Sequence, residues 1–212
     1  MKNKQGLHAQ VKRVTVALTV AALLQAGSAL AALELRDING NATAIAADAQ
    51  FAYDTVLDAT WYLTANNTRL TWDNAKSWAA GLTVGTFSGW SLPAADPACG
   101  EFNCTGSQMG ELYYTALGNP AGGPLANTGP FKNLQSNFYW SGTEYAPSPS
   151  SAWTFSTISG PQGVDAKLDE HLYALAVRPG DVAAVPEPET VALFLAGLAG
   201  VLVMRRRRPI PA

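Results

Sequence analysis

The sequence Phe138-Tyr139-Trp140-Ser141, followed shortly by Ala152-Trp153-Thr154-Phe155, decides the fold of this 212-residue chain. Both segments are rich in aromatic residues, which favour strands, and two prolines break the chain between them. Leu172-Tyr173-Ala174-Leu175-Ala176-Val177 predicts a third strand. It is reached through Ser159-Gly160-Pro161-Gln162-Gly163, a sequence typical of a hairpin-like turn. The late part of the chain is therefore predicted to form an antiparallel, tryptophan-rich sheet.

The part of the chain before this sheet predicts two short strands and two helices. Residues 51–54 and 60–63 have the aromatic-rich texture of strands. Thr71 is placed to cap a helix that runs to about residue 80. Ser107 is a candidate N-cap for a second helix, and Gly118 lies where a C-terminal glycine belongs. The fold class is therefore α+β, with the helices early and the sheet late.

The N-terminus has the three parts of a secretory signal peptide. It opens with a basic region formed by Lys2, Lys4, Lys12 and Arg13. An apolar stretch follows from residue 14 to about residue 24, and Ala29-Leu30-Ala31 offers an A-x-A cleavage site. A transmembrane helix is the alternative, but the apolar core is short and small residues follow it. We predict export, with Ala29 and Ala31 as the cleavage-site residues and the cut after Ala31.

The C-terminus carries a second targeting signal, which has three parts. The first is the extended motif Val185-Pro186-Glu187-Pro188, in which each proline disfavours helix. The second is an uncharged apolar run over residues 191–204, a helix of about 21 Å against a bilayer core of about 30 Å. The third is the basic stop Arg205-Arg206-Arg207-Arg208, which belongs on the cytoplasmic side. This order predicts a short membrane segment with the rest of the chain outside.

The tail resembles the PEP-CTERM sorting signal, for which Pro186-Glu187-Pro188 supplies the name-giving tripeptide. The resemblance implies recognition by an exosortase, a membrane-embedded cysteine transpeptidase, with cleavage near the motif. It also implies a Gram-negative bacterium that makes exopolysaccharide. The protein would be anchored in the inner membrane before processing, and would then reach the cell surface or the extracellular matrix. A plain C-terminal anchor with a proline spacer is the alternative.

The two sorting signals lie at the ends of the chain, and their basic residues mask the acidic charge of the domain between them. We predict a signal peptide over residues 1–31, a lead-in over 32–50, a globular domain over 51–180 and the sorting tail over 181–212. Residues 32–185 hold 6 basic and 14 acidic side chains, a net charge of −8, whereas the whole chain has −2. Such a domain has no electrostatic footprint for nucleic acid.

Cys99 and Cys104 are the only cysteines. In an exported chain, two cysteines five positions apart favour a local disulfide. A metal pair is the rival interpretation, but the chain has only two histidines, of which His8 lies in the signal peptide and His171 is distant. A tetrahedral zinc site would lack ligands. We therefore predict a disulfide and no bound metal or cofactor.

A series of short motifs runs through the globular domain in a characteristic order. They are Tyr53-Asp54, Thr60-Trp61, Trp72-Asp73, Gly89-Trp90-Ser91-Leu92-Pro93, 107–114, 129–134, 139–144, Ala152-Trp153 and 173–180. Their order resembles domain of unknown function 1566, which is also grouped with the C-terminal domain of a bacterial collagen-like adhesin. The family usually has an arginine where this chain has Ser91, so no site is assigned there. The resemblance implies a C-type-lectin-like fold, which also hosts the formylglycine-generating enzymes.

Catalytic signals in the domain are weak, and no catalytic residue is assigned. A hydrolase would have to use His171 with Asp169 or Glu170, and no nucleophile motif accompanies them. A formylglycine-generating type of oxidase would need Cys99 and Cys104 as thiols. The leading expectation is a non-enzymatic surface or matrix protein.

Carbohydrate binding, with exopolysaccharide as the partner, is the alternative. The aromatic faces of six tryptophans can stack on sugar rings, although core packing accounts for most of them. They are Trp61, Trp72, Trp78, Trp90, Trp140 and Trp153. A calcium-dependent mode would draw on Glu144, or on Asp165 with Asp169 and Glu170.

Overall fold

The computed structural model describes residues 33–168 and 172–183. The predicted signal peptide, residues 184–212 of the predicted sorting tail and the acidic pair before His171 lie outside these residues, as does His171 itself. In the described part, three strands are followed by two helices and then by four more strands. The strands are β1 (Leu33–Arg36), β2 (Phe51–Asp54), β3 (Ala59–Tyr62), β4 (Phe138–Glu144), β5 (Ser151–Ser156), β6 (Gln162–Ala166) and β7 (Val177–Pro179).

The first sheet contains the early strands together with the last one. Its order is β1-β2-β3-β7, and every neighbouring pair is antiparallel. Asp54 pairs with Ala59 at the β2–β3 hairpin, and Trp61 pairs with Val177 across the contact between β3 and β7. The two ends of the described chain therefore meet in one sheet.

The second sheet is the late antiparallel meander β4-β5-β6. Its register shifts between Trp140 and Glu144, where β4 carries a bulge or irregularity against β5. Tyr139 also forms a parallel bridge with Tyr173, in the segment that leads into β7. This contact ties the second sheet to the first.

The two helices lie between the early strands and the second sheet in sequence. Helix α1 spans Trp72–Ala80, and its N-cap residue Thr71 makes no side-chain capping hydrogen bond. Helix α2 begins with the α-helical turn Gln108–Gly110 and widens into the π-helix Glu111–Ala116.

Two buried clusters cover the two faces of the first sheet. Trp61 belongs to the cluster that also holds Leu112 and Tyr113 of α2, with Tyr139 and Phe155 of the second sheet. The opposite cluster contains Phe51 of β2, Ala75 and Ala79 of α1, and Trp140 and Ala152 of the second sheet. Because successive strand residues point to opposite faces, each sheet supplies side chains to both clusters.

The predicted α+β class, with two helices and antiparallel sheets, is confirmed. β2 matches the predicted strand, and the prediction for β3 is displaced by one residue. Ser107 accepts a hydrogen bond from the Gly110 amide, as predicted for an N-cap. Gly118 has a positive φ of 67° after α2, the conformation expected of a C-terminal glycine.

Three features of the fold differ from the sequence prediction. β1 lies inside the predicted lead-in and is an edge strand of the first sheet, so the sheet begins before Phe51. β6 begins inside the predicted hairpin turn, at Gln162, although Gln162-Gly163-Val164-Asp165-Ala166 contains few strand-forming residues. The predicted strand over 172–177 is mostly irregular, because its backbone hydrogen bonds go to several different partners. Leu172 and Ala174 bond to the loop over residues 66–70, Tyr173 bonds to the second sheet and Ala176 bonds to the first. Only its last residue, Val177, starts a regular strand.

Neither helix of residues 33–168 and 172–183 has the length and hydrophobicity needed to cross a bilayer. The apolar segment predicted over residues 191–204 is outside the described residues.

Candidate functional site

An open cavity of about 580 Å³ lies beside the end of β3 and the second half of α1. We call it the amide groove because three asparagines take part in its wall. Its lining residues are Tyr62, Thr64, Ala65, Asn66, Asn67, Thr68, Trp78, Leu82 and Asn133. None of these side chains is charged, so the groove suits an uncharged polar ligand.

The aromatic side of the amide groove comes from Tyr62 and Trp78. Tyr62 is the last residue of β3, and Trp78 lies on α1 beside Ala79, which is fully buried. Both aromatic side chains are half-buried. Among the described residues, neither the Tyr62 hydroxyl nor the Trp78 indole N–H has a hydrogen-bond partner, so both are available to a ligand.

Trp78 differs in this respect from the other tryptophans. The remaining five are buried, which confirms that most of the tryptophans pack in the core. Four of these five also donate their indole N–H within the fold. Trp61 donates to Asp54, Trp72 to the Ser141 carbonyl, Trp90 to the Phe87 carbonyl and Trp140 to the Leu70 carbonyl.

The floor of the amide groove is fixed by Asn66, which is buried. Its side-chain oxygen accepts the Ala174 amide at 2.7 Å, and its side-chain NH₂ donates to the Thr68 carbonyl. Asn133 donates to the Asn66 carbonyl at 3.3 Å and adopts a positive φ of 61°. Both asparagines therefore hold the loop over residues 64–68 in place.

Asn67 and Thr68 are the exposed polar groups of the same loop. Their side chains make no hydrogen bond to other residues in the described ranges. The groove thus combines two half-buried aromatic rings with an unused amide and an unused hydroxyl. Recognition of polar ligands commonly uses this combination of apolar wall and few placed polar groups.

The residues predicted for calcium binding have other partners. Glu144 forms an ion pair with Lys167. The Asp165 carboxylate accepts the Ala166 amide at 2.8 Å, while Asp169 and Glu170 lie outside the described residues. In residues 33–168 and 172–183, no group of three or more His, Cys, Asp or Glu side chains is arranged to hold a metal ion.

Cys99 and Cys104 form the predicted disulfide, with an S–S distance of 2.08 Å. Gln162, the first residue of β6, is buried against the loop that the disulfide closes. Its side-chain NH₂ donates to the carbonyls of Asp96 and Cys99, and its oxygen accepts the Asp96 amide at 3.2 Å. The disulfide loop is therefore fastened to the second sheet.

A pair of carboxyl groups is buried between β2 and α2. Asp54 is fully buried and accepts hydrogen bonds from the Val56 and Leu57 amides at 3.0 and 3.1 Å. Glu111 is 3% exposed, and neither of its carboxyl oxygens meets an N–H donor. Burial, a hydrogen bond with Asp54 and the Asp54 charge raise the pKa of Glu111 to about 8. Glu111 is therefore mostly protonated at neutral pH. Sequence reasoning missed this pair, because its members are far apart in the chain.

The C-terminal residues 184–208 match the PEP-CTERM protein-sorting motif. The match includes all the predicted sorting residues, from Val185 to Pro188 and from Arg205 to Arg208. This motif implies a secreted surface protein that is processed at the membrane by an exosortase. No curated protein and no solved structure matches the chain. The predicted resemblance of residues 51–180 to domain of unknown function 1566, with its C-type-lectin-like fold, has no support from these comparisons.

Proposed function

We propose that this chain is a non-enzymatic protein of the cell surface or extracellular matrix of a Gram-negative bacterium. The observation that carries the proposal is the PEP-CTERM motif at residues 184–208, which begins directly after the described fold. An export signal is also predicted at the other end of the chain. The folded domain is the part that remains after both end segments are removed. The folded domain then has a binding or structural role at the cell surface, whereas the two end segments direct its sorting.

Mass spectrometry of the mature protein tests this proposal. In cells with an exosortase, we expect an N-terminus at Ala32 and a C-terminus near residues 185–189. Cells without the exosortase provide the control and should retain the residues up to Ala212. A chain that still ends at Ala212 in exosortase-positive cells would contradict the processing on which the proposal rests.

Carbohydrate binding at the amide groove is a second candidate function. It is favoured by the half-buried rings of Tyr62 and Trp78 beside the free polar side chains of Asn67 and Thr68. An aromatic ring can cover the apolar face of a sugar, while amide and hydroxyl groups bind its hydroxyls. The uncharged lining favours neutral sugars of an exopolysaccharide over acidic ones.

A glycan array, run with and without calcium, tests this second function. If a neutral glycan binds, Trp78→Ala should weaken its binding by about tenfold or more, as for a central aromatic contact. Phe138→Ala is the matched control, because Phe138 is a 42% exposed aromatic residue on β4 outside the groove lining. Absence of binding under both conditions, or equal losses in the two variants, would rule the groove out as a sugar site.

A further inference from the structure

The sorting motif starts almost at the surface of the folded domain. Val182 is 2% exposed and belongs to the same cluster as Phe51 and Trp72. The match to the sorting motif begins at residue 184, so Ala183 alone separates the buried Val182 from it. A fully extended chain from Val182 to Val185 reaches only about 10 Å. This reach is shorter than the radius of gyration of about 15 Å expected for a domain of this size. The start of the sorting motif therefore stays close to the domain.

An ion pair holds the chain at the point where it leaves the folded domain. Arg36, the last residue of β1, donates to both carboxylate oxygens of Asp181, with distances of 3.1 and 2.6 Å. Asp181 in turn accepts the Ala183 amide at 2.9 Å. Only 8% of the Arg36 side chain and 25% of the Asp181 side chain are exposed. Bidentate, partly buried pairs of this kind are stronger than exposed surface pairs.

Close backbone packing reinforces the ion pair. Gly40 has a φ of +86°, and a Cβ built on it would lie 2.2 Å from the Val182 carbonyl oxygen. Gly180, just before the exit, donates its amide to the Asp58 carbonyl at 2.8 Å and accepts the Thr60 hydroxyl at 2.7 Å. Residues 180–183 are therefore held on the domain by charge, by hydrogen bonds and by packing.

An enzyme that cuts near Pro186 must bind the extended peptide on both sides of the cut. Peptides bound in extended form are gripped along several residues of backbone. On the N-terminal side, residues 181–183 of this stretch are held by the domain.

Resting on the exosortase processing described above, we propose that Arg36, Asp181 and Val182 form a clamp that limits processing. Exosortase acts on the conformation in which residues 181–183 have detached from the domain. Arg36 is a positioning residue in this process, because it acts through Asp181 and lies outside the sorting motif. When opening is fast relative to cleavage, the processing rate follows the population of the open form.

The test is a pulse-chase measurement of processing of the full chain in exosortase-positive cells. Arg36→Gln removes the ion pair from the β1 side, without a change in the tail, and should speed processing by about three- to tenfold. Gly40→Ala pushes on the Val182 carbonyl with Arg36 intact and should act in the same direction. A flexible linker of eight Gly and Ser residues, inserted after Ala183, should speed processing and abolish the effect of Arg36→Gln.

Two controls separate the clamp from general loss of stability. Glu34→Gln removes the other ion pair of Arg36, which joins a half-exposed carboxylate, and keeps Asp181 in place. Gly122→Ala introduces a side chain at a φ of +73° where nothing lies within 4 Å. Both control variants should be processed at the wild-type rate.

The outcomes also separate the clamp from the proposed function. If the linker variant is processed but Arg36→Gln and Gly40→Ala are no faster than wild type, the clamp is wrong while exosortase processing stands. If wild type and the linker variant both remain full length, the proposed function fails and the clamp fails with it.

Discussion

Glu111 shows how a single buried residue makes the stability of this domain depend on pH. The unfolded chain releases the Glu111 proton near pH 4.5, whereas the folded protein keeps it until about pH 8. Between these values, the unfolded state binds fewer protons than the folded state. The free energy of unfolding should therefore fall as the pH rises from about 4.5 to 8, by up to about 1.4 kcal/mol per pH unit, and level off above.

Glu111→Gln should remove this dependence. Glutamine keeps the size and shape of the side chain, but it has no proton to release. We expect the variant to be close to wild type near pH 4.5 and more stable than wild type near pH 8. Urea unfolding, followed by tryptophan fluorescence at a series of pH values, measures the difference.

Glu101→Gln is the matched control, because Glu101 is an exposed carboxylate of the nearby disulfide loop. It should leave the pH profile of the free energy of unfolding unchanged. A wild-type profile that is flat between pH 5 and 8 would show that Glu111 is ionised in the fold.

At the scale of elements, the start of α2 is built by one tight set of contacts. The Ser107 hydroxyl donates to the Cys104 carbonyl at 2.8 Å and accepts the Gly110 amide at 3.0 Å. Gly110 has no room for a side chain, since a Cβ would lie 2.0 Å from the Cys104 carbonyl oxygen. The disulfide loop therefore ends against the first turn of α2. Beyond that turn the helix widens, and the Leu117 amide donates to the Leu112 carbonyl five residues back.

Ser107→Ala should lower the free energy of unfolding by about 1 kcal/mol, the usual loss for a helix N-cap. The cause is the buried Gly110 amide, which loses its acceptor, whereas the Cys104 carbonyl keeps the Ser107 backbone amide as a donor. Chemical denaturation of the wild type and the variant at one pH measures the loss.

Thr71→Ala provides the comparison at the other helix. Thr71 occupies the N-cap of α1 but makes no capping hydrogen bond with its side chain. Its replacement should change the free energy of unfolding by less than about 0.5 kcal/mol. Equal losses in the two variants would contradict the different roles of the two caps.

At the scale of the whole molecule, the domain carries the negative charge and the two end segments carry most of the positive charge. Residues 32–185 carry a net charge of −8, whereas the sorting tail ends in four consecutive arginines. Basic residues beside an apolar segment stay on the cytoplasmic side of the membrane. We therefore expect the acidic domain to be exported and the arginine run to remain in the cytoplasm.

Alkaline phosphatase fusions test this topology, because the enzyme is active only outside the cytoplasm, where its disulfides form. A fusion after Ser150 should be active, since Ser150 lies in the exported domain. A fusion after Ala212 should be inactive in cells without an exosortase, where the tail stays intact. An inactive fusion at residue 150 would place the domain in the cytoplasm and remove the basis for its processing.

Local sequence determined the features that depend on neighbouring residues. The cap at Ser107 and the Cys99–Cys104 disulfide join residues no more than five positions apart, and the strand over Phe51–Asp54 was predicted from its own aromatic residues. The sorting motif over residues 184–208 belongs to the same group, because its order of extended, apolar and basic parts is written directly in the chain. Such features need no knowledge of distant contacts.

Only the tertiary structure decided which distant residues meet. The ion pair between Arg36 and Asp181 spans 145 positions, and the hydrogen bond that fixes Asn66 to Ala174 spans 108. Similar tryptophans also received different roles: Trp61 is buried against α2, whereas Trp78 keeps a free indole N–H at the amide groove. The pairing of distant strands, and the face of the sheet on which each side chain lies, decide which residues are buried and which charged groups meet. No local stretch of sequence contains this information.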